Sequence, residues 1–92
     1  MSYPKISKLS DNIISEFKKQ IPDKNLIQEY FNESVTIFGN ALYRNCHTKN
    51  PYVKAYNQLI KYIQIKLNKL PIKYNISDYI IEPLKITVFQ LV

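Results

Sequence analysis

NPYVKAYNQLIKYIQIKLNKL, residues 50–70, is the stretch whose pattern admits almost one reading. Its apolar residues Tyr52, Tyr56, Leu59, Ile60, Ile63, Leu67 and Leu70 fall at the i, i+4, i+7, i+8 spacing that gathers side chains on one stripe of a 3.6-residue period. Lys54, Asn57, Lys61, Gln64 and Asn68 take the opposite face. Asn50 stands at the N-cap, Pro51 at the first helical position where its missing N–H costs nothing, and Pro71 closes the pattern. The stretch predicts an amphipathic helix marked at both ends.

Working outward toward the N-terminus, Asp23 caps a longer pattern. Leu26, Ile27, Tyr30, Phe31, Ser34, Phe38, Ala41 and Leu42 keep the i, i+3, i+4 rhythm almost to Cys46. Gly39 interrupts it, and three readings follow: a kink, a helix end, or a place where another helix crosses closely. A short strand over residues 35–38 is the rival, and helix is preferred because the stripe stays in phase beyond the glycine. Before Pro22, an apolar stripe of Leu9, Ile13, Ile14, Phe17 and Ile21 predicts a shorter helix of about three turns, capped by Ser7 or Ser10. Residues 1–9 read as an irregular lead-in.

Beyond Pro71 the character changes. Asn75, Ser77 and Asp78 offer caps for a brief helical turn, which Pro83 should stop. Residues 84–92, LKITVFQLV, are rich in β-branched and aromatic side chains, which favours a strand, while Pro83 in a first helical turn would allow a short fourth helix. The prolines at 4, 22, 51, 71 and 83 fall at the joints between elements, so local and global signals agree. The expected fold is mainly α: a small bundle of three helices with a C-terminal strand or short fourth helix, forming one domain over residues 1–92.

Composition narrows the function. Ninety-two residues suffice for one compact core without staples. A lone cysteine allows no intramolecular disulfide and no cysteine-based zinc site, and the charged N-terminus reads as neither a signal peptide nor an anchor, so an intracellular, non-secreted protein is expected. No window approaches the ~20 apolar residues of a membrane span. The net charge of +6 is concentrated in the second half, where Lys49, Lys54, Lys61, Lys66, Lys69 and Lys73 succeed one another with no acid between. Such a run attracts phosphate or an acidic protein surface. Only one of the thirteen bases, Arg44, has the planar fork best suited to phosphates and base edges.

No arrangement of residues makes a convincing catalytic centre. Cys46 and His47 are neighbours, but adjacent side chains on a helix diverge by about 100°, and two ligands do not close a metal site. Glu29 and Glu33 lie one turn apart on a polar face, and a single glycine cannot build a phosphate-cradling loop. The expectation is a protein that is not an enzyme and takes no cofactor or metal.

Leu42-Tyr43-Arg44 resembles the signature tripeptide of the LYR family, whose members are small, basic, three-helix mitochondrial proteins. That resemblance implies a respiratory-complex subunit or assembly factor that binds acyl carrier protein, with the acyl chain among the helices and a basic patch including Arg44 facing the carrier. It covers three residues, and the tripeptide stands about forty residues into this chain, where the family has it near the start of its first helix.

The leading expectation is a non-enzymatic helical interaction protein, an adaptor or subunit of a larger assembly, whose partner is another protein or a second copy. Ile65 is its pointer, an apolar residue on the polar side of an otherwise clean helix. Partner-binding residues are expected at Tyr62, Ile65 and Lys69 and at Ile86, Val88 and Phe89. The alternative is a nucleic-acid-binding protein in which Lys54, Lys61 and Lys66 follow a phosphate backbone while Tyr62 stacks a base.

Overall fold

The computed structural model describes residues 4–45 and 50–80. Three helices, α1 (Pro4–Phe17), α2 (Lys24–Asn45) and α3 (Pro51–Leu67), are followed by a 3-10 turn, Ile76–Asp78. The three-helix bundle expected of the sequence is present. The expected strand or fourth helix over 84–92 lies outside the described residues.

Residues 4–9 are helix, not lead-in. Pro4 serves as a helix starter, its ring fixing φ where no N–H is needed, and Ile6, Leu9, Ile13 and Phe17 then share one buried face. The helix also ends a turn earlier than Pro22 suggested. The Lys18 and Lys19 amides bond to the Ser15 and Glu16 carbonyls at 3.2 Å, a tightened last turn that leaves Ile21 82% exposed and off the stripe.

At the start of α2 the Asp23 carboxylate accepts from the Asn25 and Leu26 amides at 2.9 and 3.2 Å, satisfying two of the donors a helix start leaves free. The helix runs on through Gly39 in phase, burying Ile27, Phe31, Val35, Phe38 and Leu42. Of the three readings of Gly39, the close crossing is the one found: it lies under the Tyr52 ring of α3. Asn50 occupies the cap position of α3, but its side chain makes no capping bond. It instead takes the left-handed conformation, φ 52°, which asparagine tolerates better than most residues, and so aims Pro51 into the helix.

The middle helix packs along both others, and α1 meets α3 over a smaller area. Tyr52, Ala55, Leu59, Ile63 and Leu67 of α3 join the α1 and α2 stripes in one core, with Phe31 and Tyr56 edge to face at 5.2 Å. Past α3 the chain folds back over the open end of the bundle. Asn75 caps the 3-10 turn by accepting from the Ser77 amide at 3.0 Å, and Ile76 and Ile80 are buried.

Candidate interaction surfaces

On α3 the residues expected to meet a partner are one group in space. Tyr62 and Ile65 are three residues apart on one face of α3, while Lys69 lies just past its end, in a turn where its amide bonds to the Lys66 carbonyl at 3.2 Å. Ile65 is 60% exposed and Lys69 is exposed. Tyr62, read as free from the sequence, is half-buried against the core, and the Lys66 ammonium lies 4.9 Å from its ring centroid. Ile86, Val88 and Phe89 lie outside the described residues, as do Cys46 and His47.

The lysines proposed for a phosphate backbone divide. Lys54 and Lys61 are exposed and seven residues apart, hence on the same side of α3. Lys66 turns away from them toward α1, where its Nζ lies 3.5 Å from Asp11 Oδ1. Hydrogen bonding to Tyr62 first, and the Asp11 carboxylate after it, outweigh burial and hold the Lys66 pKa above the ordinary lysine range. Lys66 and Tyr62 thus serve each other and α1, leaving two lysines for the phosphate face.

Leu42, Tyr43 and Arg44 sit in the last turn of α2. Leu42 is buried in the core while Tyr43 and Arg44 face solvent, and Arg44 is where a positive charge suits the helix C-terminus.

One surface had no forecast in the sequence. The end of α1 and the chain after α3 enclose an open groove of about 480 Å³, lined by Phe17, Leu70, Pro71, Ile72 and Tyr74, with Lys18 and Lys19 at its edge. Ile72 stands at its lip, 64% exposed. Pro71-Ile72, an isoleucine beyond the α3 stripe, is the only local trace of it in the sequence.

The groove wall is fixed from behind by Gln64. Its Nε2 donates to the Tyr74 carbonyl at 2.9 Å and its Oε1 accepts from the Ile76 amide at 2.8 Å, so one side-chain amide holds the returning backbone on α3. Phe17 meets Tyr74 at 5.0 Å and Tyr79 at 4.7 Å. Just before Phe17, Glu16 is buried. Its Oε2 accepts from Lys19 Nζ at 2.6 Å, while its Oε1 has no partner among the described residues.

Among the described residues no three His, Cys, Asp or Glu side chains form a group that could hold a metal, and no helix is long and apolar enough to cross a membrane. Set against known proteins, the chain matches no family model, no curated protein and no solved structure.

Proposed function

We propose that this chain is a non-enzymatic helical interaction protein, a small adaptor or subunit whose α3 outer face meets another protein or a second copy. The observation that supports this reading is Ile65. A fully buried isoleucine contributes about 1.5–3 kcal/mol relative to an exposed one, so at 60% exposure roughly 1–2 kcal/mol is available to whatever covers it. Half-buried Tyr62 and exposed Lys61 lie one turn before it, and exposed Lys69 follows just past the helix end, giving an apolar centre with cations beside it.

Light scattering of the purified chain, with absorbance read at 260 nm, tests this. A nucleic-acid-free dimer or larger assembly, unchanged between about 50 and 200 mM salt and dissolved by Ile65→Glu, is the expected result. An assembly indifferent to Ile65→Glu would overturn it, and a nucleic-acid-free monomer would rule out the second copy and leave another protein as the partner of this face.

A second reading, nucleic-acid binding, draws on Lys54 and Lys61, which stand exposed on one side of α3 with no ion pair among the described residues. It ranks second because Lys66 and Tyr62 are occupied with each other. Nucleic acid that copurifies with a monomer and is shed in salt would move the assignment there.

A further inference from the structure

We infer that the groove between the end of α1 and the chain after α3 docks an amphipathic, acidic peptide segment of a protein partner, its apolar side chains in the groove and its carboxylates against the lysines at the α1 end. This rests on the reading of the chain as an interaction protein, but it concerns a surface other than that of Ile65.

The groove is lined by the apolar side chains of Phe17, Leu70, Pro71 and Ile72 and the ring of Tyr74, and its volume of about 480 Å³ is in the range that accepts several side chains. Its walls are already ordered. Gln64 holds the backbone at Tyr74 and Ile76, and the Phe17 ring is wedged between Tyr74 and Tyr79, so little entropy remains to be lost on binding.

Charge selects the ligand class. Lys18 borders the groove and makes no ion pair or hydrogen bond through its ammonium among the described residues. Lys19 lines the groove beside it, and Lys73, between the lining residues Ile72 and Tyr74, turns its Nζ to the Asn68 and Leu70 carbonyls at 2.5 and 3.2 Å. The nearby acids are engaged: Glu16 is buried and bonded to Lys19, and Asp23 caps α2. A cationic edge, Lys18 and Lys19, beside an apolar surface matches a segment with one apolar and one acidic face. A phosphate backbone would use the lysines and leave the floor uncovered, so nucleic acid fits it less well.

The probe is a fluorescein-labelled synthetic peptide of about 15 residues, with leucines at i, i+3, i+4 and i+7 and glutamates elsewhere. Its control carries lysine for every glutamate. Anisotropy titrations of the full chain should show saturable binding of the glutamate peptide and binding about tenfold weaker, or none, for the control. Ile72→Asp should weaken binding at least about tenfold and Lys18→Glu severalfold, with both variants retaining the helical circular dichroism of the parent. Ile65→Glu should bind as the parent does, and amide shifts on binding should gather at residues 17–20 and 70–74.

Absence of saturable binding, equal binding of both peptides, or shifts centred on Ile65 would overturn the inference. A dimer of the chain that Ile72→Asp dissolves would assign the groove to a second copy, and anionic vesicles bound through Ile72 in preference to the peptide would assign it to a membrane; either overturns the peptide. Failure of the peptide together with an assembly that Ile65→Glu dissolves would sink the groove alone and leave the proposed function standing.

Discussion

The ring of Tyr52 lies across Gly39, in the space a β-carbon would occupy. A Cβ placed there would stand 2.8 Å from Tyr52 Cγ and nearer still to the ring's edge carbons. The Tyr52 hydroxyl reaches on to donate to Asn40 Oδ1, so one side chain touches two successive residues of α2. Alanine in place of a mid-helix glycine ordinarily adds about 1 kcal/mol of stability. Here the added methyl must displace a buried ring at a cost of about 1–3 kcal/mol, and the net expectation for Gly39→Ala is a loss of up to about 2 kcal/mol in urea denaturation. A gain in stability would show that the ring swings aside freely.

Gln64→Ala should release the backbone that folds over the end of the bundle. Two hydrogen bonds to that backbone, of about 0.5–1.5 kcal/mol each, are removed together with an exposed one to Asn68 Oδ1, and the Ile76 amide, donating to Gln64 Oε1 at 2.8 Å, loses its acceptor. Hydrogen exchange at Ile76 should accelerate at least tenfold while amides in the middle of α2 keep their protection. Gln64→Glu retains the acceptor and so should preserve most of the protection at Ile76. Equal acceleration in both variants would place the restraint elsewhere.

Ser10 is fully buried in α1, and its Oγ has no hydrogen-bond partner among the described residues. A buried polar atom left unpaired costs about 1–3 kcal/mol, and alanine is the better helix former. Ser10→Ala should therefore raise the urea midpoint by the equivalent of about 1 kcal/mol without altering the slope. A loss of stability would mean that the hydroxyl is satisfied, for example by an enclosed water.

Alkaline pH should destabilise the fold. Burial, acting first, raises Tyr52 and Tyr79 above the ordinary tyrosine value of 10.0. The hydrogen bond to Glu16 raises Lys19, and that to Tyr62 raises Lys66, above the ordinary lysine value of 10.5. Each group holds its proton more tightly folded than unfolded, so its contribution is complete below the unfolded pKa and is lost as pH climbs through the folded one. Stability measured in urea should decline from about pH 10 upward, and Tyr52→Phe should decline less steeply there. A slope identical to that of the parent would remove Tyr52 from the account.

The sequence made the helices legible wherever period and punctuation coincided. Asp23 caps α2 as its position foretold, and of the stripe read on α3 Tyr52, Leu59, Ile63 and Leu67 are buried while Tyr56, Ile60 and Leu70 are half-buried, with Ala55 joining the buried set at i+3 from Tyr52. Pro4 was misread because a proline marks both a helix start and a break, and Ile6, in register with Leu9 and Ile13, was the side chain that distinguished them. Ile21 was misplaced because periodicity cannot see a last turn tightening after Phe17. At the candidate surfaces, Ile65 was legible as a break in pattern. The groove was not, since it arises from residues some fifty positions apart that only the fold brings face to face.

The chain's single glycine sits inside α2, so none of the described reversals of direction uses one. Pro22 and Asp23 turn the chain between α1 and α2, Asn50 and Pro51 launch α3, and Pro71 lies in the return toward Asn75. Such joints have fewer conformations to lose than glycine-rich ones, and each of the larger helix contacts joins neighbours along the chain, α1 with α2 and α2 with α3. Refolding therefore has only short loops to close before the first native contacts form, which places this bundle among domains that fold in microseconds to milliseconds.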